Sequence, residues 1–488
     1  MSQAKTGSRT VTGNGSTTAQ RWALALSSAA SFLVILDMLV VATALTAVQR
    51  DLGSSLADLE WTVNAYTLSF AVLMMTAAAL GDRLGRRRVF VAGLALFGIA
   101  SAACALAPDT AALIAARAVQ GVGAATIMPM ALALLNGAFP PERRGWAIGI
   151  YGSVTGLAAL AGPILGGAVT QGLGWQWIFW INVPVALAAI PLVFARLPEA
   201  YGPGGALDLA GLVLVTAAAL CLVWGLARGN TVGWDSAETV GTLAVGAVAA
   251  IAFGAWQRRA PAPMLPPRLF RSRAFSAGNA GIFLLNGSLG AAVFLMPQFQ
   301  QVVEGQQPLG AGLRMLPWGI APFLVAPRAG ALADRIGERS LAVTGLLLQA
   351  AGIAWIAAIA TPTVGYLALV APMSITGVGF ALAIPAVTRS VTSTTPRADI
   401  GKASGAYSTV RQLGGAFGIA IAGAAFAATG GYGSREAFTD GFVAAFVVAA
   451  GMAAAGVVAA TALPRRGNRP VPAPPVRAET GRSVTAGQ

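Results

Sequence analysis

The sequence predicts an all-α polytopic membrane protein whose fourteen transmembrane helices fall in the order six, two and six. Three observations carry that expectation. Of its 488 residues, 56% are hydrophobic and 10% charged, against about 25% charged in soluble domains. Apolar runs long enough to cross a bilayer, about 20 residues at ~1.5 Å each, recur along the chain. The connections between them alternate between Arg-rich and Arg-poor. A porin would alternate apolar and polar residues with period two.

The first span, 22–48, contains Asp37 between Leu36 and Met38. A charged carboxylate at that depth costs about 2.5–3.5 kcal/mol, so it must face a cavity, take a partner or carry a proton. Asp37 is therefore either a static hydrogen bond to a neighbouring helix or a protonatable switch. No other acid reads as lying so deep. Residues 49–60 form a candidate outer loop with three acids and one Arg.

A second span, about 61–80, ends in the basic turn 81–88. Spans follow at about 89–107, 111–139, from there to 170, and 176–194, with the basic PPERR loop at 140–144. Two further apolar runs, 208–227 and 239–256, lead to a linker at 257–275 with five arginines and prolines suited to extended chain. The remaining spans are placed at about 276–298, 311–328, 341–360, 364–387, 403–428 and 438–462. The expected division is a cytoplasmic N-terminal tail (1–21), an N-terminal six-helix bundle (22–200), two inserted helices (201–257), a basic cytoplasmic linker (258–275), a C-terminal six-helix bundle (276–462) and a disordered cytoplasmic tail (463–488). Only Arg50, Arg228 and Arg435 then face outward, so the positive-inside rule puts both termini in the cytoplasm.

The net charge of +14 does not imply nucleic acid, because the basic residues gather in alternate short loops and tails. Histidine is absent, which leaves carboxylates as the obvious proton carriers. Cys104 and Cys221 sit in apolar segments and imply no disulfide framework. The polar tail before the first span lacks the apolar run and cleavage site of a signal peptide.

Several motifs carry the functional reading. In ALGDRLGRRR, 79–88, Asp82 can accept hydrogen bonds from an arginine or a helix N-terminus, Gly81 and Gly85 permit a tight reversal, and Arg83 and Arg86 anchor the basic side. A related run at 329–339 holds Asp334 and Arg335, as a duplicated bundle would. Arg117 lies some two turns into its span and needs a partner. Its depth and that of Asp37 differ by less than about 10 Å at ~1.5 Å per residue, so the two can pair, statically or in one transport state. Gly162, Pro163, Gly166 and Gly167 permit close packing and a bend. Trp175 and Trp177 are expected in an interfacial aromatic belt. Asn182, Asn279, Asn286 and Gln298 are candidate substrate contacts, and Arg411 needs a buried acceptor.

These residues closely resemble the fourteen-helix branch of the drug:proton antiporters within the major facilitator superfamily. ILDMLVVATAL resembles the first-helix signature around its proton-carrying Asp, matching Asp37. Asp82, Arg83, Gly85, Arg86 and Arg87 match the loop motif, and Arg117, Gln120, Gly121 and Gly123 the next. Gly162, Pro163, Gly166 and Gly167 match the antiporter signature; WQWIFWINVP resembles the branch's helix-six signature, and Arg411, Gln412, Gly414 and Gly415 match the C-terminal pattern. Ala78, Ala158 and Ser408 depart from it. The resemblance implies the major facilitator fold, residence in a bacterial cytoplasmic membrane and proton-coupled export by alternating access.

The implied cargo is a lipophilic drug or antibiotic. With Asp37 as the one deep carboxylate, a neutral, zwitterionic or monocationic molecule fits better than a dication. Protons and membrane lipids are the other partners. The expected protein is a monomeric transporter, with no enzymatic activity and no cofactor beyond the transmembrane proton gradient. A proton-coupled importer would keep Asp37 and reverse the flux; a receptor or scaffold would show no substrate-dependent proton movement. No P-loop supports an ATP-driven pump.

Overall fold

The computed structural model describes residues 17–202, 207–393 and 400–464. The N-terminal part comprises α1 (Thr18–Leu52), α2 (Leu56–Leu84), α3 (Arg86–Ala105), α4 (Thr110–Ala138), α5 (Pro141–Gly172), α6 (Trp177–Trp180) and α7 (Asn182–Arg196). The inserted pair is α8 (Leu209–Val232) and α9 (Ala237–Gln257). The C-terminal part comprises α10 (Arg273–Val302), α11 (Pro308–Arg314), α12 (Leu316–Ile336), α13 (Glu338–Ile359), α14 (Tyr366–Ser393), α15 (Ile400–Thr429) and α16 (Arg435–Thr461). Thirteen helical stretches among the described residues have the length and apolarity to cross a membrane. The 21 residues of α12 hold the place of the fourteenth.

Two spans expected as single helices are broken, for the same reason. Between α6 and α7 the helix breaks at Ile181, and between α11 and α12 at Met315. Pro184 and Pro317 follow these breaks. Each lacks an N–H, and its ring collides with the carbonyl four residues back, that of Trp180 or Leu313. The linker also departs from the extended chain expected of it, since Pro267–Arg271 forms a 3₁₀ turn.

The motif expected as an eight-residue loop is a one-residue junction. Gly85 links α2 to α3 at φ +108°, and Gly337 links α12 to α13 at φ +88°, a region side chains avoid. Asp82 accepts from Arg86 at 2.8 Å, one helical turn on. The segment after α7 closes over this junction. Glu199 accepts from the Arg87 amide at 2.9 Å, and the Ala200 carbonyl from the Arg86 amide at 2.8 Å. These satisfy first-turn amides of α3 that have no partner within the helix. Arg83 is exposed. The side chains of Asp334 and Arg335 lie outside the described residues.

Helices α1–α7 pack among themselves, as do α10–α16, and two seams join the sets. At the first, α2 meets α15 along its full height: Met75 faces Gly405, the Thr409 hydroxyl donates to the Ala71 carbonyl at 3.1 Å, and Glu60 faces Gly423. At the second, the described contacts of α5 with α11 and α12 lie toward the face opposite the Arg-rich junctions. There Gly167 lies against Pro308, Gly312 against Pro163, and Gly319 against Leu160. Thr46 of α1 donates to Gln301 of α10 nearby. Of the antiporter-signature glycines, Gly167 therefore serves close approach between the two sets, while Gly162 and Gly166 bring α5 onto Leu39, Val40 and Thr43 of α1 within its own set.

The inserted pair sits over the first seam. α8 packs on both α2 and α15, and α9 packs on α8, turning Val240, Val245, Val248 and Ile251 outward. Asp208 pins the base of the pair: its carboxylate accepts from the Gly211 amide at 2.8 Å, Trp256 Nε1 at 2.7 Å, Gln257 Nε2 at 2.6 Å and the Met264 amide at 3.3 Å. Desolvation pushes its pKa up, but these hydrogen bonds outweigh it and hold the group below the usual carboxylate range. A depressed pKa contributes stability above the unfolded value of about 3.9, lost as pH falls through the folded one. The melting temperature of the purified protein should therefore drop between pH 5 and pH 3, and drop less in Asp208→Asn. Identical acid profiles would contradict this anchoring role.

Candidate functional site

Five helical elements converge on Asp37, which is fully buried on α1. Arg117 Nη1 of α4 donates to its Oδ2 at 2.6 Å. Gln120 Nε2, one turn along α4, donates to Oδ1 at 2.9 Å, and Asn182 Nδ2 at the start of α7 donates to the same oxygen at 2.7 Å. Ser101 of α3 accepts from Asn182 at 3.0 Å and donates to the Phe179 carbonyl of α6 at 2.8 Å. From α2, the Thr62 carbonyl accepts from Arg117 Nε at 3.1 Å, and the Tyr66 ring lies 4.1 Å from the guanidinium carbon. The Arg117 side chain is likewise fully buried.

The local sequence explains the convergence. Gly121 and Gly123 bring α4 close to its neighbours: a β-carbon on the first would strike the Tyr66 carbonyl, and one on the second would lie 2.8 Å from the Phe97 amide nitrogen. Pro184 breaks the helix beside Asn182, so this amide begins α7 with its side chain on the carboxylate. Three donors, a carbonyl and an aromatic face replace the water both charges have lost. Without them, a buried pair costs several kcal/mol per ion. Protonating Asp37 where it stands would discard the charge-assisted bond and leave Arg117 buried without its counter-charge, Nη2 already lacking a partner among the described residues.

Of the expected substrate contacts, Asn182 joins this cluster and Asn279, Asn286 and Gln298 do not. Asn182 serves the carboxylate and is 1% exposed, so it does not line an open cavity. Asn279 and Asn286 donate to carbonyls of their own helix, those of Phe275 at 2.8 Å and Ile282 at 3.2 Å. Gln298 donates to the Phe294 carbonyl at 2.7 Å and accepts from Tyr432. Arg411 is half-buried on α15, its Nε without an acceptor among the described residues. Trp175 is not at the lipid border: it is buried and donates to Asp51 at 2.7 Å, while Trp177 is exposed.

Sequence reasoning missed Ser101, a lone hydroxyl in its stretch of apolar span, and Tyr66, one of several polar residues in its stretch of α2. It also misplaced Glu60. That residue is not in an outer loop but one turn into α2, 2% exposed, because Ser55 and Asp58 form a capping box that starts the helix at Leu56. Asp37 is therefore not the only deep carboxylate. Among the described residues no cluster of His, Cys, Asp or Glu could hold a metal ion.

Paired helical bundles of membrane-crossing length, joined along two seams and enclosing an ion pair in one bundle, define a transporter of the paired-bundle class. The chain belongs to the Major Facilitator Superfamily, whose profile matches residues 27–419 and again 280–486. It is 36% identical over 394 residues to the tetracenomycin C resistance and export protein of Streptomyces glaucescens, covering 80% of this chain and 73% of that one. It is 35% identical over 462 residues to a puromycin resistance protein of Streptomyces alboniger, covering 91% and 90%. The same fold is seen in a bacterial homologue of the human lysosomal transporter Spinster, inward-facing and unoccupied. The TM-score is 0.67 and the identity 18%, covering 94% of this chain and 100% of that one.

Proposed function

We propose that this protein exports lipophilic small molecules, antibiotics among them, in exchange for protons, with Asp37 as the proton carrier and Arg117 as its counter-charge. The observation that carries the reading is the closed Asp37 network: a carboxylate held by three donors, at zero exposure, inside a single bundle. A proton can be taken up only if the network opens, which ties protonation to a change of shape. Relatives named for antibiotic resistance and export support outward transport of such cargo.

The Arg-rich face lies in the cytoplasm by the positive-inside rule, with both termini, in a bacterial inner membrane. The contacts of α5 with α11 then close the outer side. An outward-open state admits a proton to Asp37 and releases cargo; the protonated protein returns, loses the proton inward and binds again. Membrane lipids surround a monomer, and the proton gradient is the energy source. The expectation against dications rested on Asp37 being the lone deep carboxylate, and buried Glu60 removes that ground.

The test is efflux of puromycin and tetracenomycin C from proteoliposomes under an imposed pH gradient. Wild type should move at least one of them and move protons with it. Asp37→Asn should abolish the coupling, as should Asp37→Asn/Arg117→Met, which carries no buried unpaired charge. Undiminished gradient-driven efflux in the double variant would sink the assignment.

A further inference from the structure

We propose a binding site for a lipophilic cation in the lateral groove between α8 and the α2–α4 wall, with the Glu60 carboxylate as its counter-charge. The groove has a volume of about 970 Å³ and is lined largely by apolar side chains, among them Leu68, Val72, Ile114 and Leu220, a size suited to a drug-sized molecule. Glu60 lies where the groove meets α15, its carboxylate filling the space that Gly423 leaves. It is 2% exposed, and no donor among the described residues reaches it, Oε2 being wholly enclosed. Buried carboxylates in a membrane are costly and face a partner. Glu60 is among the residues lining the groove, so a cation bound there becomes that partner once the carboxylate turns from Gly423.

The walls beside it suit a cation. Trp61 of α2 and Trp224 of α8 stand with ring centroids 5.4 Å apart at 50°, two aromatic faces for a delocalised positive charge. Arg228, the one basic residue of the lining, is held by Glu238 at 3.1 Å, and Asp58 adds a further carboxylate. The groove shares α2 and α4 with the Asp37 network but uses their other faces: Arg117 points inward and Ala118 lines the groove. One wall is the inserted pair, so this assigns α8 a part in ligand binding. The site stands independently of proton-driven export.

Tetraphenylphosphonium and tetraphenylborate, near-isosteric ions of opposite charge, test it by equilibrium dialysis against the protein in nanodiscs, with empty nanodiscs subtracted. Tetraphenylphosphonium should bind saturably to wild type and about tenfold more weakly to Glu60→Gln, a loss of about 1.4 kcal/mol. Trp224→Ala should weaken it too, and Leu220→Trp, which narrows the groove without touching the charge, should block it. Tetraphenylborate should show no saturable binding that depends on Glu60. Equal affinity of the cation for wild type and Glu60→Gln overturns the proposal. So does equal saturable binding of the anion, which would mark an apolar groove filled by acyl chains. Because no gradient is applied, failure of export leaves this result untouched.

Discussion

Asp37→Asn should destabilise the folded protein more than Arg117→Met does, and the double variant should recover most of the loss. The asymmetry follows from the chemistry of the pair. Replacing the carboxylate by an amide strands a guanidinium that cannot shed its charge, at zero exposure with neutral acceptors alone: the new amide oxygen, the Thr62 carbonyl and Gln120 Oε1. Breaking a buried pair in this way costs about 3–5 kcal/mol. Removing the arginine leaves an acid that can neutralise itself with a proton while keeping Gln120 and Asn182 as partners. Thermal and denaturant melts in detergent of wild type, both single variants and the double complete the cycle. Losses that add to within about 0.5 kcal/mol would show two uncoupled residues and remove the basis of the proton switch.

The second large effect is expected at the α5–α11 contact. A β-carbon on Gly312 would run into the Pro163 carbonyl, so Gly312→Val should prevent the two helices from meeting. Overpacking of this kind costs about 1–3 kcal/mol, enough to move a two-state equilibrium about 5- to 150-fold. The Leu309 amide donates to Gln171 at 3.3 Å across the same contact. A Gln171→Cys/Leu309→Cys pair, with Cys104 and Cys221 replaced by alanine, should therefore cross-link readily. Adding Gly312→Val should suppress the cross-link and export together. An unchanged yield would show that this contact does not govern closure.

The span order and the ion pair were legible because both rest on local arithmetic. Apolar length set the spans, and depths within about 10 Å of each other put Asp37 and Arg117 within reach. Asn182 was legible as a buried polar residue but not as a ligand of the carboxylate, since that depends on the break that Pro184 imposes. Glu60 was lost to a helix start placed a turn too late, although Ser55 and Asp58 spelled out the cap. The course of α8 over α2 and α15 left no local signal. It depends on pairings between segments more than a hundred residues apart, which periodicity does not encode.

The place of α8 makes the two edges of the molecule mechanically unequal. At one edge a third helix grips both bundles, so parting them there would strip α8 from α2 or from α15. At the other, α5 leaves α11 and α12, and α1 leaves α10 and α11, with no third helix among the described residues bridging the two sets. The inserted pair is thus a clasp on one edge only, and the α5 margin is the edge left free to part.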